Sequence, residues 1–118
     1  ALGTYSGTGK WHRYWGQVGD VARYDGVGDS ASVPAATTWI HFAYVRDQSH
    51  VHKVFIDGTQ IGSSITYEGD YTGNKFLTIG GYYNSNYLLN GYIDDFRITL
   101  KARYTSNFTV PDAQHPSI

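Results

Sequence analysis

The chain carries no sustained i, i+3, i+4, i+7 spacing of apolar residues. Short segments of alternating apolar and polar residues recur instead, each bounded by Gly, Asn or Asp. A period of two sends successive side chains to opposite faces of a strand, so the pattern predicts an all-β protein. The expected strands are Trp11 to Trp15, Val21 to Tyr24, Trp39 to Arg46, Val51 to Ile56, Gln60 to Tyr67, Phe76 to Ile79 and Tyr92 to Leu100. A short helical turn is expected only over Ala102 to Asn107.

The most regular stretch runs from Trp39 to Tyr67. Two strands flank Asp47-Gln48-Ser49-His50, and a third follows Asp57-Gly58, a residue pair suited to the positive φ angles of a tight hairpin. A three-stranded meander follows. Phe42 and Tyr44 share one face of its first strand, with His41, Ala43 and Val45 on the other; in the second, Val54 and Ile56 oppose Lys53, Phe55 and Asp57. If Arg46 pairs with Val51, His52 falls opposite Val45. Apolar residues on both faces suit a sheet whose one face meets a second sheet while the other is partly covered. In GYIDDFRITL the alternation changes phase between Ile93 and Phe96, which predicts a β-bulge at Asp94-Asp95. Residues 1–110 read as one domain, and 111–118, with two prolines, as a C-terminal strap or tail.

Composition narrows the classes of partner. A length of 118 residues suits one domain. Nine basic residues against ten acidic ones give a net charge of −1 without a run of like charge, so no long-range field draws in nucleic acid or anionic lipid. No apolar stretch approaches the about 20 residues that cross a bilayer, and a soluble chain without membrane insertion is expected. The lack of cysteine excludes disulfides, thiolate metal sites and thiol nucleophiles. The 14 glycines and 11 tyrosines favour twisted sheets, tight turns and hydrogen-bonding surfaces.

Candidate chemistry is sparse. Glycoside hydrolysis needs two carboxylates roughly 5 to 10 Å apart across one substrate; Asp94 and Asp95 would point to opposite faces of a regular strand, and Glu68 is the sole glutamate. No serine lies in a Gly-x-Ser-x-Gly elbow. The expectation is a protein that is not an enzyme. His50-x-His52 offers half of a transition-metal site, with exposed strand histidines as the simpler reading. Asp25 and Asp29, or Glu68 and Asp70, supply the hard oxygens that calcium prefers but match no fixed-spacing loop; calcium is the one cofactor considered, against ordinary solvated turns. The strongest hint is Gly80 to Asn90. Tyr82, Tyr83 and Tyr87 offer flat apolar faces for sugar rings, and Asn84 and Asn86 offer donors and acceptors for hydroxyls. Trp15, in the second aromatic cluster with Trp11 and Tyr14, is a further candidate. Each of these aromatics could equally cover a sheet edge or enter the core.

The order of motifs resembles a known family. Trp39-Ile-His-Phe-Ala-Tyr-Val-Arg46, Val54-Phe-Ile-Asp-Gly58, Leu77-Thr-Ile-Gly-Gly81, Asn90-Gly-Tyr-Ile-Asp-Asp-Phe-Arg-Ile98 and Ala102-Arg-Tyr-Thr-Ser-Asn-Phe108 together resemble the laminin G-like, concanavalin A-like superfamily, in particular its copies in bacteriophage tail and fibre proteins. The resemblance implies a jelly-roll sandwich of two antiparallel sheets that displays loops, in which calcium often sits on the rim. It implies an extracellular or virion-associated recognition module that meets a cell-surface glycan, with an oligomer plausible. Other readings are a structural assembly or decoration domain contacting other subunits of a viral or fibre assembly, and an accessory carbohydrate-binding domain of a secreted enzyme. The family's N-terminal portion is longer than what precedes Trp39, so the chain is expected to be the later part of such a fold. Tyr24 to Asp29 with Ser32 to Pro34 is aligned with the strand just before the Trp39 motif.

Overall fold

A computed structural model describes residues 2–5, 10–18, 21–25, 37–66, 79–81 and 88–113, the first three segments as backbone. Six strands form in chain order: β1 (Leu2–Tyr5), β2 (Lys10–Val18), β3 (Val21–Asp25), β4 (Phe42–Arg46), β5 (Val51–Ile56) and β6 (Thr59–Thr66). They make two antiparallel three-stranded sheets, β1-β2-β3 and β4-β5-β6. The described residues contain no helix, in keeping with the all-β expectation. In the first sheet Tyr14 stands in register with Tyr24 and Trp15 with Arg23, and the register shifts between Trp15 and Val18. Strand β1 was not foreseen from the alternation.

The second sheet is the expected meander. Its turn at Asp57-Gly58 has φ of 49° and 76°, the pair of positive values that matches the right-handed twist of the flanking strands. Ile56 therefore pairs directly with Thr59. Beyond the ladder's end, Asp57 N–H donates to the His41 carbonyl at 2.9 Å, and the Asp57 carboxylate accepts the His41 N–H at 2.8 Å. Strand β6 then bulges: His52 pairs with Ile65 but Val54 with Ile61, and Gly62 supplies a φ of 63°. The Gln60 amide nitrogen stitches the bulge by donating to the Gly62 carbonyl and to Ser64 Oγ.

The β4–β5 hairpin differs by one residue from the expected register. Arg46 pairs with His52 and Val45 with Lys53, because His50 adopts a left-handed φ of 58° and bulges the end of the loop. Asp47 holds that loop. Its carboxylate accepts the N–H groups of Ser49 and Val51 at 2.9 and 3.0 Å, and its carbonyl accepts that of His50 at 3.1 Å. A slip of one residue reverses the facing of the partner strand, so His52 lies beside Tyr44 and Arg46 rather than opposite Val45.

Both faces of β5 are buried at its centre. Val54 and His52 on one face and Phe55 on the other have no exposed surface, and Val45 and Ile61 are nearly as deep. Burying a side chain the size of phenylalanine contributes roughly 1.5–3 kcal/mol. The segment 101–113 covers Phe55. Tyr104 and Phe108 stack with centroids 3.5 Å apart, and both meet Phe55 edge-on at 6.4 and 5.4 Å. The helical turn expected at 102–107 is absent; these residues form an irregular clasp that bends at Thr105 and Ser106. Tyr92 to Leu100 forms no strand, and the expected bulge does not arise. Asp95 has a φ of 50°, and its N–H bonds the Asp94 carboxylate at 2.8 Å, which interrupts the extended run where the alternation changes phase.

Candidate functional site

The tyrosine-rich segment is anchored at its base. The Leu89 N–H donates to the Gly80 carbonyl at 2.8 Å, which brings residues 80 and 89 together. Packing is close at Gly81, where a Cβ would lie 3.0 Å from Leu88 Cδ2, and ordinary at Gly80, where one would lie 3.6 Å from Ile93 Cδ1. Ile79, Leu88 and Leu89 flank this base and are exposed. Tyr82, Tyr83, Asn84, Asn86 and Tyr87 themselves lie outside the described residues. Trp15 occupies β2 in register with Arg23, its side chain outside the description.

Of the candidate calcium residues, Asp25 is the last residue of β3, in register with Arg13; Asp29, Glu68 and Asp70 lie outside the described residues. The described residues bring together no group of three or more His, Asp or Glu side chains able to hold a metal.

The histidines take up other partners. The Tyr44 hydroxyl and His52 Nδ1 are 2.5 Å apart and share a hydrogen bond, with His52 completely buried. The His50 Nδ1 meets the Arg46 guanidinium. His41, on the opposite face, lies edge-on to Phe108 at 5.5 Å and to Tyr104 at 6.1 Å, and its buried Nδ1 has no hydrogen bond. These arrangements place His50 and His52 with separate partners instead of aiming them at one ion.

Three of the described carboxylates are engaged by backbone amides. Those of Asp47 and Asp57 cap hairpin amides, and that of Asp94 accepts the neighbouring Asp95 N–H. Carboxylates used in this way hold turns in shape. No helix among the described residues is long and apolar enough to cross a membrane.

The contacts made by the clasp were not anticipated from sequence. The Phe108 N–H donates to the Gly58 carbonyl at 3.0 Å, the Gln60 N–H to the Asn107 side-chain carbonyl at 2.9 Å, and Lys53 Nζ to the Thr105 carbonyl at 2.5 Å. The i, i+4 spacing of Tyr104 and Phe108 was the available signal, and it reads as a helical turn unless the apolar face of β5 is considered as its partner.

Among known families, residues 2–106 match the model of the concanavalin A-like lectin/glucanases superfamily, of the laminin G type. No curated protein and no solved structure matches the chain.

Proposed function

The chain belongs to the concanavalin A-like lectin/glucanase superfamily, and from that premise we propose that it is a carbohydrate-recognition module that binds a glycan without cleaving it. The superfamily's name covers both lectins and glucanases, so the choice between them rests on the site. The observation that carries the reading is the bond between Leu89 and Gly80. It fixes the two ends of the segment that holds Tyr82, Tyr83, Asn84, Asn86 and Tyr87. Tyrosine and asparagine side chains between bonded ends offer sugar rings apolar faces and hydroxyl partners. Three described carboxylates, on Asp47, Asp57 and Asp94, are engaged with backbone amides, which favours binding over hydrolysis. The module's setting in this proposal is the outside of a cell or virion, such as a phage tail or fibre.

A glycan array probed with the unmodified chain and with a Tyr82→Ala, Tyr83→Ala, Tyr87→Ala triple variant tests this. Selective binding that the triple variant loses is expected; no binding by the unmodified chain, or equal binding by both, rejects the assignment. A specific observation favours a second reading, an assembly domain. Leu88, Leu89, Tyr92, Phe96, Ile98 and Leu100 are exposed, and apolar side chains concentrated along one segment mark contact surfaces for other subunits.

A further inference from the structure

Of the asparagines in the sequence, Asn90 alone is followed by glycine. An asparagine side chain is attacked when the backbone nitrogen of the next residue reaches its carbonyl carbon. A side chain on that next residue obstructs the approach, and glycine leaves it open. In a folded chain, hydrogen bonds on either reacting group oppose the step. Asn107 is held in this way: its side-chain carbonyl accepts the Gln60 N–H at 2.9 Å, and the nitrogen that would attack it, that of Phe108, donates to the Gly58 carbonyl at 3.0 Å. Asn90 is placed differently. Asn90 and Gly91 are exposed on a bend that belongs to no strand. Among the described residues, neither the Asn90 carboxamide nor the Gly91 N–H makes a hydrogen bond.

We propose that Asn90-Gly91 is a self-modification site, at which the exposed carboxamide closes to a cyclic imide and reopens as aspartate and isoaspartate. The Gly91 nitrogen gives its proton to hydroxide and bonds to Asn90 Cγ. The Cγ–Nδ2 bond breaks, and the nitrogen leaves as ammonia after taking a proton from water, which regenerates the hydroxide. Water then adds to either carbonyl of the imide. Opening on one side yields aspartate, and on the other isoaspartate, whose main chain runs through Cβ and Cγ. No oxidant or reductant takes part. Either product replaces a neutral amide with a carboxylate and so adds one negative charge to a chain whose net charge is −1. The new charge arises beside Leu89, whose N–H bond to Gly80 closes the base of the tyrosine-rich segment. The site thus changes the charge of that base with the age of the protein, independently of whether the chain binds a glycan.

The test incubates the full, folded chain in neutral and in mildly alkaline buffer made with heavy-oxygen water, and follows it by ion exchange and by peptide mapping with mass spectrometry. A more acidic species is expected to accumulate, faster in the alkaline buffer, with one heavy oxygen at residue 90 and both aspartyl and isoaspartyl forms present. Asn107 should convert several-fold more slowly than Asn90. A folded chain that leaves Asn90 intact while the urea-unfolded chain converts it overturns the proposal, as does conversion of Asn107 at the same rate. Gly91→Ala supplies the second arm. A Cβ at that position meets only ordinary contacts, at 3.7 Å from Leu89 Cγ and 3.9 Å from Leu89 Cδ1, so the variant fits the fold. Several-fold slower conversion is expected, because the added methyl hinders the approach of the nitrogen, and an unchanged rate contradicts attack by the Gly91 nitrogen. Should this variant lose its β-sheet circular dichroism, Asn90→Gln takes its place; it should abolish the acidic species, whose persistence would overturn the assignment.

Discussion

Gly58 and Phe108 meet backbone to backbone: the Phe108 N–H donates to the Gly58 carbonyl at 3.0 Å, and a Cβ on Gly58 would fall 2.0 Å from the Phe108 carbonyl oxygen. One residue thus closes the β5–β6 hairpin and seats the C-terminal clasp. Its φ of 76° belongs to the region that side chains avoid, at a cost of roughly 1–2 kcal/mol for other residues. Gly58→Ala therefore incurs both strain and collision. A loss of about 2–4 kcal/mol is expected, read as a lower urea midpoint, and an unchanged midpoint would show that the clasp does not rest on the turn.

His50 occupies a left-handed position, φ 58°, at the end of the β4–β5 loop, where glycine is the usual residue in hairpins of a type I turn followed by a bulge. His50→Gly relieves that strain but gives the unfolded chain more freedom and loses the contact with Arg46. The balance is a small gain, on the order of 0.5 kcal/mol. Chemical denaturation measures it, and a loss greater than about 1 kcal/mol would mean that the Arg46 contact outweighs the backbone strain.

The partly exposed Tyr44 bonds the completely buried His52 through its hydroxyl. Tyr44→Phe deletes the hydroxyl and leaves His52 Nδ1 buried without that partner, which costs about 1–3 kcal/mol. Pairing this change with His52→Leu in a double-mutant cycle isolates the coupling. Tyr44→Phe should cost much less in the His52→Leu background; additive losses would deny that the two side chains depend on each other.

The meander between Trp39 and Tyr67 was legible because local signals agreed there. The bounds of β5, Val51–Ile56, follow from its alternation, and Asp57-Gly58 is turn chemistry that few other structures accommodate. The hairpin register was not legible, since a non-glycine residue, His50, takes the left-handed position that shifts it. The clasp was misread for a tertiary reason: Tyr104 and Phe108 are spaced as on a helix, but Phe55 and His41 give them edge-on aromatic partners on the sheet. Tyr92 to Leu100 carries strand-like alternation, yet alternation cannot supply a ladder partner, and Asp95 breaks the run. The candidate binding residues between Tyr82 and Tyr87 were legible only as chemistry; of their surroundings the structure describes the Gly80–Leu89 base.

The central claim is that the chain holds a carbohydrate and leaves it intact. The direct measurement is to incubate an array-positive oligosaccharide with the purified chain, quantifying binding by calorimetry and the oligosaccharide's mass by spectrometry. The account predicts saturable binding with the oligosaccharide unchanged in mass, and affinity reduced by about tenfold or more in the Tyr82→Ala, Tyr83→Ala, Tyr87→Ala chain. Release of shortened fragments, or undiminished affinity in the triple variant, would contradict it.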